Sequence, residues 1–359
     1  MGLKNGLLST IGKTPLVRLE KLFPDFASNF YAKLEMFNPG GSSKDRTAWL
    51  MVSKAFENGK ISQNSTIIES SSGNMAIGLA QVCRYFGLSL IVVTDPNINQ
   101  RAILLLQVYG AQIERVTEAD SDGNYLNNRL ERVAHLLDTI HDSYSPNQYY
   151  NDLNIAAHYE TMREIVNNCP EPPNYILAAT STCGTIMGCA RYVHEHNLDT
   201  KIVAVDAVGS AIFGSSKCKR LIPGHGAGRK SDLLDESLID HVLHISDIEC
   251  VIGCRRLLKR EAILAGGSAG AVVMASEKLN SIIPQDSNCV MILADSGERY
   301  LDTIYNDHWV ESHFDRIDDL GIMKPKTENE PQKTPVLVNG FEFSIDHSAG
   351  ENGTGKHYS

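Results

Sequence analysis

The sequence predicts an α/β protein, and three observations carry that expectation. Short β-branched runs alternate with helical patterns through most of the chain, an order that favours parallel sheets with covering helices. At 359 residues the chain exceeds one comfortable core, so two domains are expected. Hydrophobic residues make up 42% and charged residues 21%, the balance of an ordinary globular protein.

Strands are read at 30–35, 66–69, 88–94, 112–116, 175–179, 201–205 and 290–293, each a short apolar run between turn residues. Helices are read at 44–58, 75–86, 100–109, 124–138, 155–167, 185–196 and 248–264, with Ser246 and Asp247 as caps for the last. A polar stretch rich in Tyr, Asn and Asp, 142–154, separates two α/β blocks. After about Val310 the pattern degrades. The segment 311–359 reads as a loose polar tail in which 336–344 has the pattern of a short strand.

Forty-three acids against 33 bases leave a formal charge of −10, which disfavours a nucleic-acid or anionic-membrane partner, because both require a basic face. The first residues lack the basic and apolar regions of a signal peptide, and no stretch approaches a membrane span. The eight cysteines are scattered, mostly in apolar runs, and read as buried thiols of a reducing cytoplasm rather than as disulfides or metal ligands.

Four segments carry candidate chemistry. In 38–46, NPGGSSKDR, a strand ends in a Pro-Gly-Gly turn and a helix begins near Lys44. A lysine at a helix N-terminus opposes the macrodipole, and with Arg46 beside it there is reason for a lowered pKa. A neutral amine forms a Schiff base with an aldehyde. Alone, this motif fits a solvated surface lysine better. In 69–76, ESSSGNMA, Ser71, Ser72 and Asn74 surround Gly73 at a helix start, a binding loop for a carboxylate beyond what helix capping needs. In 180–185, TSTCGT, hydroxyls and backbone amides precede another helix and suit a phosphate monoester; it is neither a Walker loop nor a dinucleotide fingerprint. In 265–271, AGGSAGA, glycines permit the approach of a flat group and Ser268 faces it, or the glycines simply turn one helix into the next. A fifth segment, 223–228, PGHGAG, reads as a loop at a substrate entrance or as a plain loop.

The order of these segments resembles the β-family of pyridoxal-phosphate enzymes, fold type II, which includes cysteine synthase and cystathionine β-synthase. The resemblance runs from Ile11-Gly12-Lys13-Thr14-Pro15-Leu16 to Ser296-Gly297-Glu298-Arg299-Tyr300-Leu301 and takes in Gln148 and His158-Tyr159-Glu160-Thr161. It implies the tryptophan synthase β-like fold: two open twisted sheets flanked by helices. A smaller mobile domain would span 45–145 and a larger cofactor domain 1–44 and 146–310, with 311–359 as the tail. It further implies that Lys44 joins pyridoxal 5'-phosphate, Asn74 meets the ring hydroxyl and Ser268 the pyridine nitrogen. Ser181, Thr182, Cys183, Gly184 and Thr185 would hold the phosphate. Ser71, Ser72, Asn74 and Gln148 would bind the substrate carboxylate. Two departures stand out: Ser181 and Cys183 replace glycines common in relatives, and Met75-Ala76 replaces a Thr-Gly common in cysteine synthases.

The chemistry implied is β-replacement. A neutral Ser268 does not keep the pyridine nitrogen protonated, which favours β-elimination over transamination, and Lys44 becomes the base at Cα. Within the family, 123–126 with Arg129, 205–214 and 307–309 resemble the branch that joins O-phospho-L-serine to L-glutamate, giving N-(2-amino-2-carboxyethyl)-L-glutamate for 2,3-diaminopropionate in siderophore pathways. Anionic substrates need a cation, and Arg129 with Tyr149 is the candidate, although Arg129 fits a solvated helix arginine equally well. The alternative is a cysteine synthase using O-phosphoserine or O-acetylserine with sulfide. Partners are small amino acids, and the resemblance implies a homodimer.

Overall fold

In the computed structural model, residues 5–119, 125–214, 218–314, 335–338 and 341–344 are described. Two sheets organise the unit that ends at Ile317. The first to form along the chain begins with β1 (Leu16–Arg18) and β2 (Asn29–Leu34), which pair antiparallel. The chain then builds α1 (Lys44–Glu57), β3 (Thr66–Ser70), α2 (Asn74–Phe86), β4 (Ser89–Thr94), α3 (Gln100–Val108), β5 (Gln112–Arg115), α4 (Leu126–Thr139) and β6 (Ser143–Tyr144). Strands β3 to β6 make a four-stranded, all-parallel sheet in the order β5-β4-β3-β6. The remaining elements are α5 (Leu153–Asn168), β7 (Tyr175–Ala179), α6 (Gly184–Glu195), β8 (Lys201–Ala207), β9 (His241–Ile245), α7 (Asp247–Glu261), α8 (Gly267–Asn280), β10 (Asn288–Leu293) and α9 (Asp307–His313). They complete a six-stranded sheet, β1-β2-β10-β7-β8-β9, parallel except at β1.

Both sheets are buried on two faces, as parallel sheets require, because their crossover helices lie on both sides. The two-residue period of a strand divides its side chains between the two cores. Ile67 joins the core under α1, α2 and α3, and its neighbour Ile68 joins the one under α4. In β10, Met291 and Leu293 face α7 and α8, whereas Val290 and Ile292 face α5 and α6. The α/β expectation and the parallel pairing hold.

Three strands and two helices differ from the sequence expectation. Strands β1 and β6 are too short to show periodicity, and β9 is an edge strand whose alternation is broken by His241 and His244. The 265–271 glycines admit two readings in the sequence, room for a flat group or a turn between helices, and in the structure they open helix α8. Its glycines serve helix packing instead: a Cβ on Gly270 would collide with the Cys250 carbonyl of α7, and one on Gly253 with the Gly270 carbonyl. The loss of helix propensity at these positions is offset by close contact along a helix buried from Gly267 to Ser276. Helix α9 was not read because it is short, and it is held by Asn306 accepting from the Trp309 N–H at 3.3 Å. At α7 the Ser246 cap is present, with a capping box closed by Glu249.

The unit from Asp318 onward contains two described strands, β11 (Pro335–Val338) and β12 (Phe341–Ser344), paired antiparallel with Val338 opposite Phe341. The sequence reading had one strand there.

Candidate active site

Strands β3, β7 and β10 end at Ser70, Ala179 and Leu293, and polar residues follow each of them into one cavity. Sites at the carboxyl ends of parallel strands follow from the topology, since helix N-termini and turns converge there. Every site residue expected from the sequence borders this cavity: Lys44, Ser71, Ser72, Asn74, Arg129, Gln148, Tyr149, Ser181 to Thr185, and Ser268.

Lys44 opens α1, anchored by the Ser43 N–H donating to the Ala294 carbonyl at 2.8 Å. Burial lowers its pKa, opposed in part by the charges of Asp295 and Glu35. Arg46 is not the cause, contrary to the sequence expectation. Its guanidinium turns away into a buried network, donating to Glu35 at 2.7 and 2.9 Å and to Glu164 at 2.7 and 2.8 Å. Lys33 donates to the same Glu164 at 2.7 Å. The network pins the first turn of α1 to β2 and α5 and leaves Lys44 facing the cavity.

In the serine loop, Ser71 Oγ accepts from the N–H groups of Gly73 at 3.4 Å and Ala76 at 3.2 Å. Its own O–H is therefore left to donate to a ligand. Gln148 is placed by Glu69, a buried carboxylate in β3 that accepts from the Asn147 N–H at 2.8 Å. Burial pushes Glu69 up to about 7, against hydrogen bonds from Asn147 and Gln148.

The 181–185 loop ends at the N-terminus of α6, and Cys183 is its N-cap with φ +64°. A non-glycine residue thus adopts the left-handed conformation that glycine favours, a strained feature at a binding loop. Burial pushes the Cys183 thiol up to about 12, so it is a neutral group and not a nucleophile. Asn154 of α5 braces the loop: it donates to Thr182 Oγ1 at 3.0 Å and to the Gln148 carbonyl at 2.9 Å. Thr180, just before the loop, donates to buried Asp206 at 2.9 Å, so the 205–214 segment supports it from behind. Pro223 and Gly224 border the cavity, and the Gly226 N–H holds that loop to the Thr180 carbonyl at 2.7 Å.

Arg129 is 12% exposed and pairs with Asp95 at 3.1 Å. It is not a solvated helix arginine. Among the described residues its Nε has no hydrogen-bond partner. Burial raises the pKa of neighbouring Tyr149, opposed by Arg129 and by Arg229, which stacks 5.5 Å from the ring centroid. Gly123 and Asn124 of the first substrate segment lie outside the described residues. Asp307, His308 and Trp309 do not border the cavity; Trp309 packs on the core of the larger sheet.

The sequence reading missed Asp295, Arg299, Tyr300 and Asn154. Asp295 is 1% exposed at the cavity wall, and its Oδ2 accepts from Asn74 Nδ2 at 2.9 Å and from the Tyr300 hydroxyl at 2.7 Å. A Cβ on Gly266 would strike Asp295 Oδ1, so that glycine admits a carboxylate rather than a flat ligand. A charged residue directly after an apolar strand was the available signal.

The donor set suits a phosphorylated aldehyde cofactor: a buried amine of lowered pKa, a hydroxyl-rich helix N-terminus and a neutral hydroxyl, Ser268, on another wall. Among the described residues no group of three or more His, Cys, Asp or Glu is placed to hold a metal, and no helix is long and apolar enough to cross a membrane. The family model for pyridoxal-phosphate dependent enzymes matches residues 7–295. An O-acetylserine dependent cystathionine β-synthase from Helicobacter pylori is 32% identical, with 85% of this chain and 100% of that one covered at a TM-score of 0.78. O-Acetylserine sulfhydrylase isoform 3 from Entamoeba histolytica is 29% identical, over 85% and 92%, at 0.78. An O-ureido-L-serine synthase is 28% identical, over 89% and 98%, again at 0.78. This chain belongs to the family of pyridoxal-phosphate dependent enzymes, among the cysteine synthase-like synthases that act by β-replacement.

Proposed function

We propose that the protein joins O-phospho-L-serine to L-glutamate, releasing phosphate and giving N-(2-amino-2-carboxyethyl)-L-glutamate, a precursor of 2,3-diaminopropionate. The observation that carries this reading is Arg129: a guanidinium at the cavity wall, fixed by Asp95, with Nε free of partners among the described residues. A phosphate leaving group and a dicarboxylate nucleophile each need such a charge-assisted donor, whereas sulfide needs none.

When bound, the cofactor supplies an aldehyde for an amine to join and a ring that draws electrons from the substrate Cα. The Thr182 and Thr185 hydroxyls and the first N–H groups of α6 would hold its phosphate. Ser268 would hydrogen-bond its pyridine nitrogen, and Asn74 its ring oxygen. Ser71, Ser72 and Gln148 donate to the carboxylate of the amino-acid substrate and so orient its Cα–H toward Lys44. Lys44 Nζ, favoured as a free amine by burial, takes that proton. Arg129 and the Tyr149 hydroxyl receive the anionic side chain, first of the donor and then of the nucleophile. The 45–145 segment, which carries Asn74 and Arg129, moves over the larger domain to exclude water, and the active species is a homodimer.

The second reading, a cysteine synthase, is favoured by the sulfhydrylase among the similar structures. Offering O-phosphoserine with glutamate or with sulfide, and measuring phosphate and amino-acid product, separates the two. Turnover with sulfide alone overturns the proposal. Borohydride reduction of the cofactor-loaded protein followed by peptide mapping tests Lys44 separately; an unmodified Lys44 removes it from its role.

A further inference from the structure

Asn74 is held at both ends of its amide. Its Oδ1 accepts from an Arg299 guanidinium nitrogen, and its Nδ2 donates to Asp295 Oδ2 at 2.9 Å. A primary amide has two near-identical orientations, and its partners decide between them. Arg299 is donor-only, so the oxygen of Asn74 must face it. Asp295 Oδ2 also receives the Tyr300 hydroxyl at 2.7 Å, which marks that oxygen as an acceptor and requires the nitrogen of Asn74 on its side. Tyr300 stays a donor, since burial, then Asp295, pushes its pKa well above the ordinary value.

Each partner is itself fixed. Arg299 donates to the Gly40 carbonyl in the turn before Lys44, and its own carbonyl accepts from Asn99 Nδ2 at 3.0 Å. The backbone of Asp295 is tied on both sides, its carbonyl accepting from the Gly266 N–H at 3.0 Å and the following Ser296 N–H donating to the Gly41 carbonyl at 3.1 Å. Gly266 leaves space for the carboxylate where any side chain would not.

We propose that Asp295 and Arg299 are positioning residues that lock the Asn74 amide in one orientation, so that it presents its remaining N–H, and not its oxygen, to the ring oxygen of the cofactor. This rests on the reading that Asn74 faces that oxygen. A donor there favours the ionised ring oxygen over the protonated one. The device therefore sets the protonation state of the bound cofactor from two residues that do not touch its ring oxygen.

The test is the visible spectrum of the cofactor-loaded protein titrated with pH, in which the ionised and protonated forms absorb in separate bands. Arg299→Met and Asp295→Ala each free the amide, and the midpoint for ionisation should rise by about one pH unit, the size of one lost hydrogen bond to the charged form. Arg299→Lys, also donor-only, should return the midpoint toward wild type, which a general loss of packing would not do. If Asp295→Ala does not fold, the Arg299 pair still decides the question. Midpoints at the wild-type value in Arg299→Met, alongside a shifted midpoint in Asn74→Ala, overturn the positioning role. An unshifted Asn74→Ala instead overturns the placement of Asn74 against the ring oxygen.

Discussion

Replacing Glu164 by glutamine probes the buried network that aims Lys44. Glu164 is 15% exposed and receives Lys33 at 2.7 Å, two nitrogens of Arg46 at 2.7 and 2.8 Å and the Lys13 N–H at 2.8 Å. Burial alone would raise its pKa, but Arg46 and then Lys33 outweigh that and bring it from 4.5 to about 2. A separation of roughly 2.5 units corresponds to about 3 kcal/mol of folding stability. That agrees with the ~3–5 kcal/mol cost of breaking a buried ion pair. Because the folded pKa is depressed, this stability is fully present above the unfolded value and lost as pH falls toward the folded one. At about pH 3.5, one unit below the unfolded value, the wild type has lost roughly 1.4 kcal/mol at this site and the Gln variant nothing. Urea unfolding of both proteins, saturated with cofactor, at neutral pH and at about pH 3.5 reads the gap. A neutral-pH gap below about 1 kcal/mol, or one of equal size at both pH values, refutes the reasoning.

At the phosphate loop, Cys183→Gly should stay within about 1 kcal/mol of wild type in thermal unfolding, because relief of a left-handed backbone offsets the lost buried thiol. Cys183→Val should cost about 2 kcal/mol more, since β-branched residues resist that conformation. A methyl group at Gly184 would run into the Asn154 amide. Gly184→Ala should therefore weaken cofactor binding about tenfold in an equilibrium titration, roughly 1.4 kcal/mol. Arg129→Met should raise KM for the anionic substrates by about tenfold or more, with borohydride labelling of Lys44 intact; an unchanged KM removes Arg129 from the substrate site.

Local pattern was enough for the alternation of strands and helices. It placed β7 at its observed bounds and set α1 to begin at Lys44, because a strand, a turn and a helix start each leave their mark within a few residues. The candidate residues of the cavity were legible for the same reason: each lies in a short run of hydroxyls, amides or glycines at a strand-to-helix junction. The role of the glycines at the start of α8 was left open by the sequence, since whether a glycine faces a ligand, a carboxylate or another helix depends on what the fold brings against it.

The α/β class and the loops that carry chemistry are written locally, because period, turn residues and helix starts are short-range properties. Why Lys44 has a lowered pKa, what turns Arg46 away from it, and which residues hold Asn74, Gln148 and Thr182 are settled by packing between distant segments. Those answers depend on Glu35, Glu69, Asn154, Glu164, Asp295 and Arg299. Most of them are far along the chain from the groups they orient, and burial with a chosen partner, rather than proximity in sequence, gives each its effect.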